Sequence, residues 1–421
     1  MRNNTSSLGY LHPIKILLIF LIITEVLFFI GPIKYDIRNP LMMVLYFTIL
    51  NLSLYWGYKW GIKNSKCSRY QLKGDIVKIL LIIGLLLNVE YMYRKWATHG
   101  LSFSFSNLIY ALLNPGDAYS AEATVSINTN IITGIILTPI RWAVIPLGIY
   151  YWKKLSKLFR SVVIMTFLVY IFTWLGIGTR KGLMDLIIVT YFSIVAAHKS
   201  LLYDPSSRKK LKIIAFTTLL LFVFFFIYSN ASRAGLSSLN DLDQMLDHDY
   251  REFYIEHFSP NSLSAMSEVS SYLCQGYNAL NISMSDIGIL PPTLGGSSMS
   301  TWLYFERFFG YNPMPDTYMA VLESNYGIDK YQYWHSMYLW LANDFTFIFV
   351  PLVIFFIGLY FGRVWKDAMN GENPWAYPVL GYMVIMVFYF FANNQVISFS
   401  LEPFVGCTLI YEYSRLKHKI S

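Results

Sequence analysis

The sequence predicts an all-α polytopic membrane protein of about ten transmembrane helices, and three observations predict it. Of the 421 residues, 55% are hydrophobic and only 14% charged, where a soluble chain carries about 25% charged residues. Mean hydropathy is +0.43. The apolar residues also gather into repeated runs of about 20, the length that crosses a bilayer as a helix. An outer-membrane barrel would alternate apolar and polar residues over about ten positions, whereas these runs are continuous. A water-soluble enzyme and a disordered chain are excluded on the same grounds.

Ten spans follow in order, at roughly 14–31, 40–62, 76–93, 131–151, 161–178, 182–198, 211–228, 336–362, 376–395 and 398–414. No small-x-small cleavage site follows the first, so it reads as a retained helix and not a signal peptide. The fifth and sixth are joined by the tight turn Gly178-Thr179-Arg180-Lys181-Gly182, and the ninth and tenth are separated by Asn393, Asn394 and Gln395 alone. The chain thus divides into 1–228 with seven spans, a large loop over 229–335, and 336–421 with three spans and a tail. A smaller loop at about 94–130 carries the turn signal Asn114-Pro115-Gly116-Asp117.

Loop charge orients the bundle. The net charge is +8, with 33 Lys and Arg against 25 Asp and Glu. In a membrane protein this reads as the basic cytoplasmic loops and not as a nucleic-acid surface. Lys63, Lys66, Arg69, Lys73 and Lys78 follow span two, Lys153, Lys154, Lys157 and Arg160 follow span four, and Lys199, Arg208, Lys209, Lys210 and Lys212 follow span six. The tail adds Arg415, Lys417 and Lys419. All fall on one side, which places both termini in the cytoplasm. The 229–335 segment holds 12 of the 25 acids and 4 of the 33 bases and is expected outside. Loops of this size are usually functional. Leu239, Leu242, Met245, Leu246, Phe253 and Tyr254 fall near helical spacing behind the capping candidates Asn240 and Asp241, and Ser264–Leu280 reads as a second short helix. Pro291-Pro292…Gly295-Gly296 reads as a mobile lid or turn. Cys67, Cys274 and Cys407 are scattered, so no disulfide framework or metal ribbon follows. No His, Asp or Glu spacing predicts a metal, no Gly-rich loop predicts a nucleotide, and no cofactor is expected.

A charge within a span costs about 2.5–3.5 kcal/mol at the centre. Glu25, Glu90, Arg141, Asp185, Asp344 and Glu402 all fall toward the external side in this topology, Arg141 deepest. Arg180, Lys181 and Arg233 are external bases against the general bias. Each has a plain reading: Arg180 and Lys181 snorkelling to lipid phosphate, Glu90 and Glu402 as wetted helix ends, Arg141 paired with Asp185 or Glu25. Together they read as a cluster at the outer headgroup level. The planar guanidinium fork suits phosphate. Gly178 and Gly182 would let a phosphate approach the turn, where a helix N-terminus points outward. The aromatic residues, 18% of the chain, crowd between Trp302 and Trp340. They fit an interfacial belt or platforms for sugar rings.

Gly178-Thr179-Arg180-Lys181-Gly182-Leu183 resembles the Gly-[Ser/Thr]-Arg-x-Gly-Leu turn of the Wzy-type oligosaccharide repeat-unit polymerases of O-antigen and capsule. The late outer loop is similar too, as is Trp340-Leu341-Ala342-Asn343-Asp344-Phe345 running into Gly358-Leu359-Tyr360-Phe361-Gly362-Arg363. The family often has Gly where Asp344-Phe345-Thr346 stands. Topological resemblance covers the chain, and motif identity about 20 residues. It implies a GT-C-like polymerase or ligase bundle in the bacterial plasma membrane that joins undecaprenyl-pyrophosphate-linked oligosaccharides on the external face, with a chain-length regulator as a further partner. An acceptor hydroxyl would attack the anomeric carbon and the lipid pyrophosphate would leave. In that chemistry Arg180 and Arg233, with Arg141 deeper, would oppose the growing negative charge. His335, His257 or Asp344 would take the proton, each also open to a structural role. Lys181, Arg251, Arg307, Gly178 and Gly182 would hold substrate. An O-antigen ligase-like transferase stays open as a close alternative, and a lipid-linked glycan flippase as one from another class.

Overall fold

The computed structural model describes residues 12–100, 131–179, 181–199, 251–331, 333–370 and 372–420, with isolated positions between. Among them the protein is helical and forms no sheet. The membrane-length helices are α1 (His12–Ile30), α2 (Pro40–Asn64), α3 (Gly74–Thr98), the pair α4 (Ile131–Ile136) and α5 (Thr138–Tyr151), α6 (Lys157–Gly176) and α7 (Lys181–Lys199). After them come α8 (Arg251–His257), α9 (Pro260–Ile282), α10 (Met299–Phe309) and α11 (Tyr318–Tyr326). The chain then returns to the bundle with α12 (Met337–Asn370), α13 (Ala376–Phe388) and α14 (Gln395–Ile420). Among the described residues seven segments are long and apolar enough to cross a membrane, and the α13 stretch Ala376–Phe391 is apolar but shorter. The expected span at 211–228 lies outside the described residues, as do the Asn114–Asp117 turn and the helix expected from Leu239.

The bundle is built inside out relative to a soluble protein. Ile19, Ile23, Leu45, Trp60, Ile79, Ile348, Leu352 and Phe356 are exposed, while Thr24, Asn88, Thr166, Asp185 and Ser193 are buried. An apolar outer surface around polar interior positions is what lipid tails demand of a helical bundle; this is a membrane protein. The basic loops after α2 and α5 lie at one end, here the basic end. The 251–335 segment lies at the other.

Local sequence sets the helix ends. Asn39 caps α2, its side chain accepting from the Met42 amide at 3.1 Å, with Pro40 in the first turn. Ser298 caps α10 by accepting from Thr301 at 3.1 Å, and Gly310 ends that helix in the left-handed region. Within α12, Thr346 is non-helical (φ 53°, ψ 161°), and Pro351 follows five residues later. Pro351 has no amide to offer the Phe347 carbonyl; the Tyr46 hydroxyl from α2 donates to that carbonyl instead, at 3.0 Å. α14 breaks likewise at Ser400, ahead of Pro403.

Two features differ from the sequence reading. The eighth span, expected to end at 362, continues to Asn370, because Arg363, Lys366 and Asp367 find partners there: Glu412, the Ile62 and Ser65 carbonyls, and Arg415 with Ser68. Buried, paired charge is therefore also found at the basic end of the bundle. The 229–335 segment also does not stand wholly apart. α9 packs alongside α1, where the Tyr277 hydroxyl and Thr24 Oγ1 lie 2.9 Å apart and Tyr277 packs edge-on to Phe28 and Phe47.

Candidate functional site

Two groups of polar side chains meet at the end opposite the basic loops, joined by an aromatic path. The first is built on α3, α5, α6, α7 and α13. Lys181 Nζ lies 2.9 Å from Asp185 Oδ2, one turn along α7, with Asp185 buried. The Tyr389 hydroxyl lies against the same carboxylate. The Arg141 guanidinium sits 3.6 Å over the Tyr91 ring, and Arg141 and Asp185 both act electrostatically on the Tyr170 and Tyr382 hydroxyls. Asn88 fixes this corner by donating to the Arg141 carbonyl at 3.0 Å. Among the described residues no carboxylate pairs with Arg141. The expected Arg141, Lys181 and Asp185 thus share one neighbourhood. Arg180 and Arg233 lie outside the described residues.

The Gly178–Gly182 turn is shaped by packing as much as by access. Gly178 takes φ 66°, which favours glycine, and donates to the Leu175 carbonyl at 3.0 Å. A Cβ on Gly182 would overlap the Trp174 indole, so this glycine seats a ring and does not open the turn to phosphate, which corrects its expected role. Thr179 Oγ1 is buried there with no hydrogen-bond partner among the described residues.

From Tyr389 the aromatic path runs through Phe391 (centroids 6.3 Å apart), Tyr272 (6.4 Å) and Trp334 (5.8 Å). Beside it lies the second group. His335 faces Trp340 edge-on at 6.5 Å, and Trp340 packs on Trp302 at 5.1 Å. Asn394 donates to the Ser297 carbonyl at 2.7 Å, and Ser300 to the Ser398 carbonyl at 2.7 Å. The turn between α13 and α14 is thereby brought against the start of α10. Both ring nitrogens of His335, the Trp302 and Trp340 indole nitrogens, the side-chain oxygens of Asn393, Asn394 and Gln395, and Ser398 Oγ are buried without a hydrogen-bond partner among the described residues. The sequence reading took Asn393–Gln395 only as a divider between spans. Three consecutive amides in an apolar stretch were the available signal.

Asp344, a candidate base, instead organises the loop ahead of α10. Its carboxylate accepts from Thr293 Oγ1 (2.9 Å), the Gly296 amide (2.9 Å) and the Ser297 amide (3.1 Å). Asn343 beside it accepts from the Tyr318 amide at 2.9 Å and donates to the Gly296 carbonyl at 3.0 Å. The Pro291–Gly296 stretch, expected as a mobile lid or turn, is thus a fastened turn. The Asp344 carboxylate therefore holds the loop ahead of α10 in place. His257 is exposed on α8, its ring stacked on Phe253 at 4.5 Å. No described contact joins it to either group. Arg251 opens α8, and Arg307 is exposed in the last turn of α10. Glu90 pairs with Arg94 on the surface, the wetted helix end foreseen. Glu402 accepts from the Tyr304 hydroxyl on α10. Asn51 donates to both oxygens of buried Glu25, at 3.0 and 2.8 Å, so Glu25 does not pair with Arg141.

Set against protein-family models, curated proteins and solved structures, the chain matches none. What the site does is therefore argued from its own chemistry.

Burial pushes the His335 imidazole down to about 4, against a smaller opposing pull from Asp329. The unfolded chain takes up this proton near pH 6.5, the folded one only near pH 4. The unfolded state binds more protons in that window. The associated stability is complete above pH 6.5 and is lost as pH falls toward 4. A shift of this size is worth about 3 kcal/mol. Thermal unfolding in detergent is expected to move down between pH 6.5 and 4, and His335→Phe to flatten part of that fall. Parallel pH profiles in the two proteins would contradict this.

Proposed function

We propose that the protein is a glycan polymerase of the bacterial plasma membrane. It joins undecaprenyl-pyrophosphate-linked oligosaccharide repeat units on the external face, both termini being cytoplasmic. The observation that carries the reading is the gathering of Arg141 and the Lys181–Asp185 pair, with four tyrosines, at the end of the bundle that bears the 251–335 segment. On this reading the cluster is where the lipid diphosphate headgroup is held. Arg180 directly precedes α7 in the sequence, and the resemblance of Gly178-Thr179-Arg180-Lys181-Gly182-Leu183 to the Wzy-type motif supports the same reading.

In the reaction, an acceptor hydroxyl oxygen forms the new bond to the anomeric carbon of the growing glycan. The bond from that carbon to the pyrophosphate oxygen breaks, and undecaprenyl pyrophosphate leaves with the electron pair. The hydroxyl proton passes to a base, for which His335, neutral at pH 7, is the buried candidate. Pyrophosphate leaves readily, so the main requirement is fixed positive charge where negative charge grows. Arg180 and Arg233 are assigned that role, Arg141 a deeper one.

Deleting the gene tests the reading: long glycan is expected to disappear while lipid carrying single repeat units persists. Arg180→Ala and Arg233→Ala are expected to do the same, each lowering the rate about 10²–10³-fold. Arg180→Lys should also be impaired, since a point charge lacks the fork. Wild-type chain lengths from a normally expressed variant would remove that residue from the mechanism.

A further inference from the structure

The unpartnered polar atoms around His335 are chemically distinct from the cationic group around Arg141, and the difference defines a ligand. Trp302 and Trp340 contribute unused N–H donors, Asn393 and Gln395 unused oxygen acceptors, and Ser398 and His335 groups that can do either. All six are more than nine-tenths buried. Leaving such groups unpaired costs about 1–3 kcal/mol each, and a polar ligand that pairs them recovers that cost.

A phosphate fits poorly. It only accepts hydrogen bonds, and it would face the amide oxygens with the Asp344 and Glu402 carboxylates held nearby through Ser297 and Tyr304. A cation would face the indole N–H groups. A sugar hydroxyl both donates and accepts, which matches a set that mixes the indole N–H donors of Trp302 and Trp340 with the amide oxygens of Asn393 and Gln395. We propose that this group is a saccharide-binding subsite, taking an uncharged sugar of the repeat unit, while the Arg141–Lys181 group takes the diphosphate. The inference rests on the polymerase reading and divides its site into two poles.

The division makes an unusual demand on mutants. If these atoms bind sugar, isosteric apolar replacements remove binding without removing any hydrogen bond within the protein. Replacing an unpaired buried polar group by an apolar one of similar shape is neutral or stabilising. The test uses the full chain in nanodiscs and two probes. One is the repeat-unit saccharide freed by mild acid from the lipid-linked precursor of a strain lacking this gene. The other is farnesyl diphosphate, which carries the headgroup without sugar.

Wild-type protein is expected to bind both. Gln395→Met combined with Asn393→Leu is expected to weaken saccharide binding at least about tenfold, the effect of one lost hydrogen-bonding group. It should leave farnesyl diphosphate binding unchanged and the unfolding temperature equal or higher. Trp340→Phe should reduce the saccharide-dependent change in tryptophan emission. Where the free saccharide is itself elongated, the sugar held is the acceptor's; where it only competes, it is the donor's. Unchanged saccharide affinity in the double variant overturns the proposal. So does a lowered unfolding temperature with loss of both ligands, which marks a structural role, and so does a wild-type protein that binds no saccharide. The polymerase reading fails separately, if deletion of the gene leaves chain length untouched.

Discussion

Gly61→Ala is expected to destabilise the bundle by about 3 kcal/mol or more, an effect out of proportion to one methyl group. α2 and α12 form the most extensive helix pair among the described residues. They run parallel, with two Gly-x-x-x-Gly pairs facing one another: Gly57 and Gly61 on α2, Gly358 and Gly362 on α12. A Cβ on Gly57 would overlap the Phe355 carbonyl oxygen, and one on Gly61 the Leu359 carbonyl oxygen. Gly358 and Gly362 approach the Leu54 and Tyr58 carbonyls in the same way. The obstacles are backbone atoms and cannot turn aside as a side chain would. A methyl group must push the helices apart and forfeits dispersion contacts along the crossing. In lipid no hydrophobic effect between helices compensates. Gly358→Ala should behave alike, and the combined variant should fail to accumulate. Gly74→Ala is the control, since a Cβ there meets nothing within 4 Å. It should leave the unfolding temperature in detergent unchanged or raised. Equal unfolding temperatures for Gly61→Ala and Gly74→Ala would refute the account of the crossing.

Both Gly-x-x-x-Gly patterns are visible in the sequence, yet neither says which helix its partner is. This is the general division between what could be read from the chain and what could not. Hydropathy located the spans well: 40–62 was expected and Pro40–Asn64 is found, and 76–93 lies within Gly74–Thr98. Transfer energy depends on each residue's own chemistry, so a linear reading captures it. Partnership does not work that way. Asp344 read as one of three candidate bases, open also to a structural role whose partners the sequence did not name. It is held by two amides and a hydroxyl some fifty residues earlier. Gly182 looked like room for a phosphate, and the room is occupied by Trp174. Arg141, Lys181 and Asp185 were legible as a group because the topology expected from loop charge put all three toward the same side of their spans. The His335 group was only half legible. His335 stood out as an ionisable residue, whereas neutral amides and indoles become conspicuous only when burial without partners is seen.

The same limit hid a second buried cluster, and Asp367→Ala is the substitution expected to expose it. Asp367 is 1% exposed. Its carboxylate pairs with Arg415 from α14 and accepts from the Ser68 amide (3.1 Å), Ser68 Oγ (2.7 Å) and the Tyr411 hydroxyl (2.7 Å). Asn373 extends the network to Ser68 and Ser414 at 2.9 and 2.7 Å, and Arg415 donates to the Lys66 carbonyl at 2.8 Å. One carboxylate thus ties the loop after α2, the end of α12 and the last helix together at the basic end, opposite the candidate site. Removing it strands the Arg415 charge, whose side chain is 11% exposed, at a cost of about 3–5 kcal/mol. Asp367→Asn keeps an acceptor but loses the charge and should fall between. Asp367→Leu with Arg415→Met removes both charges and should recover part of the loss, as apolar replacements of buried ion pairs often do. The expected order of unfolding temperatures is therefore wild type, Asp367→Asn, Asp367→Ala, with the double variant above Asp367→Ala. On the proposed polymerase reading, this network lies at the end opposite the candidate site, and Asp367→Asn protein that folds at low temperature should still make long glycan. A double variant no more stable than Asp367→Ala would show that the hydrogen bonds to Ser68 and Tyr411, and not the ion pair, hold this end together.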